Sequence, residues 1–337
     1  MAQESEGRSG VASPAAWRRM AEEASPRALC CIWGELRGLR AAAPSLLRHV
    51  LEPLDARLVV VAQRQLPDDE ERLAFLADAL GPRLLGTRLY DKPDPWSFFG
   101  RESYDEMAKV RGNWCNAGNV QVLMNHKVLG DYLEAEGLLD QDLFVFTRSD
   151  LLHLVPFPSA GQLRDVLGPS DILTQAGHEF GGVNYNLAIM RGAVAGDYLR
   201  APYAVIAANA IKNRSKSYNI ELFFRVLLGD RGWRNLRMPV TCFITAETEG
   251  DRSTWKKIKS SSEHDGVLFK YAPQMVEAYK SFERWQRHST WQELRPPRSQ
   301  QVEEIHGRAW RLFALVLPES ASPAPPEEVE EQESCKQ

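Results

Sequence analysis

Cysteine, net charge and long apolar runs are all scarce in this 337-residue chain. Its five cysteines, Cys30, Cys31, Cys115, Cys242 and Cys335, are odd in number and show no CxxC spacing. That excludes a disulfide framework and a zinc knuckle. Cys30, Cys31 and Cys242 lie in apolar runs and read as small core residues. Acidic and basic residues nearly balance, 45 against 41, and much of the acidic excess sits in PEEVEEQES near the C-terminus. No basic face is left to bind nucleic acid. No stretch reaches the ~18 consecutive apolar residues that span a bilayer. The N-terminus lacks a basic, then apolar, then small-residue signal pattern, so the expectation is a cytoplasmic protein with no transmembrane segment.

Several catalytic signatures are also missing. There is no GxxxxGK[ST], no HExxH, no GxSxG and no kinase set, which removes the minimum parts of P-loop, zinc-protease and α/β-hydrolase chemistry. The seven histidines are dispersed along the chain, so a metal site built from histidine pairs is unsupported, whereas a carboxylate-based Mg²⁺ or Mn²⁺ site stays open.

What is present is an alternation of apolar runs and helical patterns. ALCCIW, Ala28 to Trp33, reads as a buried strand, followed at once by Gly34, Arg37 and Gly38 and then by a helical pattern from Ala41 to Leu51. This is a βα unit. Gly34 would let a ligand approach the backbone, and Arg37 would meet a phosphate or carboxylate; the alternative is a plain turn with a solvated arginine. Ala56 to Gln63 gives a second strand, DDEERLAFLADALG a helix with acidic residues in its first turn, and RLLGTRLYD a third strand. KPDPWSFFG reads as an aromatic-rich loop interrupted by proline. Asn113 to Glu136 carries the longest helical pattern, apolar on more than one face.

That helix leads into LFVFTRSDLLHL. Leu143 to Phe146 is a short apolar run of the kind buried in a sheet, and Thr147, Arg148, Ser149 and Asp150 follow at its C-terminal edge. Ligands of open α/β sheets bind at that edge, so the position of Asp150 makes it a candidate; a charged turn that only closes a core strand is the alternative.

Further on, Ile172 to Thr174 and Leu187 to Met190 read as strands joined by a loop rich in glycine and hydrogen-bonding residues. It contains Gly177, His178, Glu179, Gly181, Gly182, Asn184, Tyr185 and Asn186. A solvated hairpin loop is the competing reading. Ala193 to Lys212 is helical in tendency with Pro202 as a break. A basic loop, Lys212 to Lys216, leads to a helix over Asn219 to Leu228, with Glu221 in its dipole-stabilised first turn. Val240 to Thr245 is the last clear strand, and Met275 to Gln286 and Gln300 to Leu317 read as peripheral helices. Residues 1–27 are expected to be a flexible leader, 28–317 one α/β domain, and 318–337 a disordered, acidic, Pro/Glu-rich tail.

Taken together, GELRG, GNVQVLMNHKVL, FTRSDLL, EFGGVNYNLAIM and NIELFF resemble a loosely defined group of glycosyltransferase-like proteins. It includes bacterial lipopolysaccharide-synthesis proteins and eukaryotic relatives, and the likeness spans Leu29 to Thr245. The RSD sequence stands where GT-A glycosyltransferases carry DxD, keeping one of its two acidic residues. The resemblance implies a GT-A-like (Rossmann-like), mostly parallel sheet flanked by helices in a single domain. It implies transfer of a sugar, of the hexosyl type, from a nucleotide-diphosphate sugar to an acceptor that is a glycan, lipid or protein.

In that picture the donor is bound by Gly34, Arg37, Arg148, Ser149 and Asp150, with Asp150 also the ligand of Mn²⁺ or Mg²⁺. Gly181, Gly182 and Asn184 border the sugar or acceptor. The general base is Glu221, with Glu179 second, and the basic loop of Lys212, Arg214 and Lys216 closes over the phosphates. A non-catalytic protein that keeps the fold for binding or scaffolding is the rival from another class, and a Rossmann-like methyltransferase the third.

Overall fold

A computed structural model describes residues 27–108, 117–177, 179–208, 219–248, 262–264 and 267–287. The expected leader lies outside these residues except for Arg27. The acidic tail, the helix expected over Gln300 to Leu317, the basic loop Lys212 to Lys216, His178, Cys115 and Cys335 also lie outside them.

The first strand, β1 (Ala28–Gly34), is buried along its whole length. Helix α1 (Leu39–Leu46) follows and runs on through a π turn, Leu47–Leu51, and one further turn, Glu52–Leu54. Strand β2 (Arg57–Gln63), helix α2 (Asp69–Leu80) and strand β3 (Leu84–Tyr90) continue the alternation. Helix α2 starts where Asp69 accepts hydrogen bonds from the Gln65 and Leu66 N–H groups at 2.7 and 2.8 Å, with three acidic residues in its first turn favoured by the helix dipole. The loop expected at KPDPWSFFG instead contains a short helix, α3 (Pro95–Phe99). Asp94 caps it by accepting from Ser97 N, and Pro95 needs no hydrogen-bond donor in the first turn. Helix α4 (Arg101–Ala108) and the long helix α5 (Ala117–Ala135) precede strand β4 (Leu143–Arg148).

After β4 the chain forms β5 (Leu151–His153), α6 (Ala160–Val166), β6 (Asp171–Gln175), β7 (Ala188–Arg191) and α7 (Gly192–Ala207). Pro202 lies inside α7 and does not break it: its missing N–H costs one intrahelical bond, while Ala201, Pro202 and Ile206 stay buried on the packed face. Then come α8 (Ile220–Asp230), β8 (Arg234–Met238), β9 (Cys242–Ala246), β10 (Ser262–His264), β11 (Val267–Phe269) and α9 (Ala272–Arg287).

Seven strands make the main sheet, in the order β3-β2-β1-β4-β7-β6-β8. All its strands run in one direction except β7, which pairs antiparallel with both β4 and β6. The expected mostly parallel sheet flanked by helices is therefore present, with three strands preceding β4 in the chain. Alternate residues of β1 serve the two faces. Cys30 and Ile32 pack with α1, Leu76 and Phe157 on one side, and Leu29, Cys31 and Trp33 pack with α5, α7 and α8 on the other. Cys30, Cys31 and Cys242 are free, fully buried thiols, as core residues. Helix α5 is buried on more than one face, through Val120, Leu123, Met124, Leu129 and Leu133.

A second, antiparallel sheet of order β10-β11-β9-β5 was not legible in the sequence. It corrects the expectation that Val240 to Thr245 is the last strand, because two three-residue strands follow β9. These strands are set by pairing, β11 on β9 and β10 on β11, rather than by periodicity of their own. The two sheets meet where β4 becomes β5, with Asp150 at the join: Thr245 N donates to the Asp150 carbonyl at 2.8 Å.

Candidate functional site

Parallel strands β1 and β4 end side by side, Trp33 opposite Arg148, and a cavity of about 510 Å³ opens at that edge. Its size falls in the range of small-molecule sites. Trp33, Gly34, Glu35 and Arg37 line it from the turn after β1, Gln121, Val122 and Asn125 from α5, and Arg148 from β4. Phe180 and Tyr185 come from the loop before β7, Asn219 and Glu221 from the start of α8, and Lys270 and Tyr271 from the end of β11. Four of the residues expected from the sequence, Gly34, Arg37, Arg148 and Glu221, thus line one cavity.

Gly34 leaves β1 at a φ of 94°, in the left-handed region that a residue with a Cβ seldom adopts. The chain turns there and brings Glu35 and Arg37 to the cavity, paired at 2.7 Å. Ser149 is behind them. It is buried, with its Oγ 2.5 Å from the Glu35 carbonyl and 2.9 Å from that of Arg37, so it ties the end of β4 to the β1 turn rather than lining the cavity.

Asp150 is also behind the wall, 2% exposed. Arg148 Nε donates to Asp150 Oδ1 at 2.8 Å and Nη2 to Oδ2 at 2.6 Å. Burial works against ionisation of Asp150, and the guanidinium outweighs it, holding the carboxyl below the usual carboxylate range. Arg148 Nη1 donates to Asn186 Oδ1 at 3.2 Å. Asn186 is in turn set by Asn184, whose Oδ1 accepts from both the Asn186 N–H and Nδ2 while its own Nδ2 donates to the Gly177 carbonyl at 2.9 Å. Asn184 is buried and does not line the cavity; it is Asn186 that reaches Arg148.

A divalent cation at Asp150 does not fit this donor set. Both carboxylate oxygens are committed to Arg148, and freeing them would strand a guanidinium in a buried place. Among the described residues no three His, Cys, Asp or Glu side chains converge in a way that could hold a metal ion.

The loop before β7 positions Glu221 through its backbone. Val183 N donates to the Glu221 carbonyl at 2.9 Å, and a Cβ on Gly182 would fall 1.9 Å from Glu221 C, so only glycine permits that approach. Asn219 caps α8, its Oδ1 accepting from Leu222 N at 2.7 Å, and its Nδ2 donates to the Phe180 carbonyl. Burial raises the pKa of Glu221, against the helix-end backbone and Lys270, which both lower it. Glu179 is elsewhere: its carboxylate pairs with Arg237 at 3.3 Å and does not line the cavity. Gly181 has φ 86° and open space where a side chain would start. Beside it Phe180 sits at φ 43° and is 61% exposed on the cavity rim.

Of the remaining lining residues, Tyr185 belongs to the loop singled out in the sequence, while Trp33, Lys270 and Tyr271 were not singled out. Lys270 and Tyr271 arrive from β11, with the Lys270 ammonium 5.0 Å from the Tyr271 ring centroid. Burial, then Arg148, lower the Lys270 pKa to about 8. The apolar run Val267 to Phe269 ending in Lys-Tyr carries the same strand-end signal that singled out Asp150, but over only three residues. Trp33 is wedged between His126, edge-on at 4.9 Å, and Tyr185, which stacks on Phe224. Burial lowers the His126 pKa to about 3, so it is a neutral packing residue. Asn125 accepts from Gln121 at 2.8 Å and from the Tyr90 hydroxyl. No helix among the described residues is long and apolar enough to cross a membrane.

No family model matches the chain, and no curated protein matches it in sequence. Among solved structures, mouse xyloside xylosyltransferase 1 in its apo form is similar at TM-score 0.39 and 12% identity, over 63% of this chain and 85% of that one. The apo-form glycosyltransferase GlyE of Streptococcus pneumoniae TIGR4 is similar at TM-score 0.35 and 15% identity, over 63% of this chain and 45% of GlyE.

Proposed function

We propose that this chain is a glycosyltransferase that moves a sugar from a nucleotide-diphosphate sugar to an acceptor hydroxyl. The observation that carries the reading is the composition of one cavity at the C-terminal edge of parallel strands. Cations from three elements, Arg37, Arg148 and Lys270, stand together with a carboxylate whose proton affinity is raised, Glu221, and with the aromatic surfaces of Trp33, Tyr185 and Tyr271. Cations suit a diphosphate, aromatic faces suit a base or a sugar ring, and a carboxylate of raised pKa suits proton transfer.

The roles follow from the chemistry of displacement. The acceptor oxygen attacks the anomeric carbon, the bond from that carbon to the phosphate oxygen breaks, and the nucleoside diphosphate leaves with the electron pair. Glu221 takes the acceptor proton, as an inverting reaction requires. Asp150 and Asn186 do not touch the donor in this reading. They fix the plane of Arg148, so that its fork is oriented before the donor arrives. Ser149 ties the β1 turn to the end of β4, and Gly182 lets the loop before β7 close on the start of α8.

The test is a thermal-shift panel of nucleotide sugars and nucleoside diphosphates, followed by a coupled assay for released nucleoside diphosphate with each donor that stabilises the protein. Stabilisation by one donor together with its hydrolysis or transfer is expected. Stabilisation with no turnover, in the presence of glycan, lipid and protein acceptors, would make the protein a nucleotide-sugar binder, and stabilisation by S-adenosylmethionine alone would make it a methyltransferase.

A further inference from the structure

The donor set at Asp150 does not fit a divalent cation, and the residues beside it supply positive charge of their own. Arg37 comes from the turn after β1, Arg148 from the end of β4 and Lys270 from the end of β11, and all three line the same cavity. They lie within electrostatic reach of one another: after burial, Arg148 and Arg37 both lower the Lys270 pKa. Asp150, against the effect of its burial, is held ionised by Arg148, Arg37 and Lys270 together.

Three cations gathered on a partly dry wall repel each other, and an anion in the cavity would relieve that repulsion. Two of them are already oriented by carboxylates, Arg148 by Asp150 and Arg37 by Glu35. Arg148 commits three N–H groups to Asp150 and Asn186, out of the five that a guanidinium carries. An arrangement that uses a buried carboxylate to aim an arginine, instead of to hold a metal, places oriented guanidinium N–H groups at the same strand edge.

We propose that the diphosphate of the donor is bound directly by Lys270, Arg148 and Arg37, and that no divalent cation bridges it to the protein; this rests on the glycosyltransferase reading above. As the anomeric bond breaks, negative charge grows on the leaving phosphate oxygens, and the Lys270 ammonium and the Arg148 fork are already in place to stabilise it. Asp150 is then a positioning residue for Arg148, not a ligand.

The experiment is titration calorimetry of the full chain with UDP, GDP, ADP, CDP and dTDP, in excess EDTA and again with MnCl₂ or MgCl₂. It is repeated on Lys270→Met and Arg37→Met, with thermal unfolding as the check on folding. At least one diphosphate is expected to bind in EDTA, with an affinity that Mn²⁺ changes by less than about threefold and that Lys270→Met weakens by about tenfold or more. The matching nucleoside, lacking phosphates, should be indifferent to Lys270→Met. Binding that needs Mn²⁺ or Mg²⁺, or binding in EDTA that neither variant weakens, overturns the inference and leaves the glycosyltransferase reading standing. If no diphosphate binds with or without metal, that reading falls, and the inference with it.

Discussion

Arg148 and Asp150, two residues apart in sequence, grip each other through two parallel hydrogen bonds of 2.8 and 2.6 Å at the edge of the central sheet. Asp150→Ala therefore removes the partner of a buried guanidinium. A loss of ~3–5 kcal/mol of stability is expected, read as a lowered midpoint in urea. Loss of nucleotide binding in that variant says nothing about metal, which is why Lys270 and EDTA are the better probes. The pH dependence has a definite sign. The folded pKa of Asp150 is depressed, so its contribution is present above the unfolded value of about 3.9 and is lost as pH falls through the folded value. Urea midpoints of the wild type should fall in acid below about pH 4, and less so in Asp150→Asn.

Glu221→Gln should abolish transfer while leaving nucleotide binding near wild type, a rate loss of about 10²–10⁴-fold if Glu221 is the base. Burial raises its pKa, so the carboxylate opposes folding at neutral pH and the Gln variant should unfold at a slightly higher temperature at pH 8 than the wild type. The transfer rate of the wild type should climb with pH through the Glu221 pKa. An unchanged rate in the variant would remove Glu221 from the chemistry.

Gly182→Ala should act on the same carboxylate from behind. The new Cβ would lie 1.9 Å from Glu221 C and 2.0 Å from its carbonyl oxygen, both backbone atoms that no rotamer change can move. A stability loss of about 1–3 kcal/mol is expected, with transfer falling further than the loss of folded protein explains. Gly229→Ala, with no atom within 4 Å of the added Cβ, is the control, and equal effects in both would rule out this close approach as the cause.

Lys270 sets a limit on the alkaline side. Its pKa is lowered to about 8 by burial, then by Arg148 and Arg37, with Asp150 and Glu221 acting the other way. The ammonium is present below that value and lost above it, so diphosphate affinity should fall as pH rises from 7 to 9.5, each step taking up more protons on binding. Lys270→Arg keeps its charge throughout this range and should flatten the profile. A wild-type affinity that is constant over the range would remove Lys270 from the diphosphate site.

Most of the main sheet was legible because strands such as β1, β2 and β4 are apolar runs, whereas β8, with two arginines and an asparagine among its five residues, gave no such signal and was not expected. Leu143 to Phe146, Ala28 to Trp33 and the segment before Gln63 are each long enough to announce themselves. Position at a strand's end then singled out Gly34, Arg37 and Arg148, which line one cavity. What the chain could not disclose was pairing at a distance. Asp150 looks like a ligand until Arg148 is seen to fold back onto it, and Glu179 looks like a base until Arg237, from β8, is seen beside it. Asn184 and Asn186 are equivalent in a string of letters, and only the fold of the loop buries one and turns the other toward Arg148. Lys270 was missed because three-residue strands have no period to detect.

The small antiparallel sheet has a bearing on how the cavity's charge is inherited. Lys270 and Tyr271 follow directly on β11, and Lys270 N is pinned to the Ile244 carbonyl at 3.0 Å. Lys270 and Tyr271 both line the cavity, so a one-residue slip of β11 against β9 would carry the ammonium away from its place beside Arg148. The net charge offered to a ligand is thus a matter of alignment between two short strands. A single-residue insertion or deletion between Ala246 and Lys270 that shifted the register could silence the site while every residue lining it remained in the sequence.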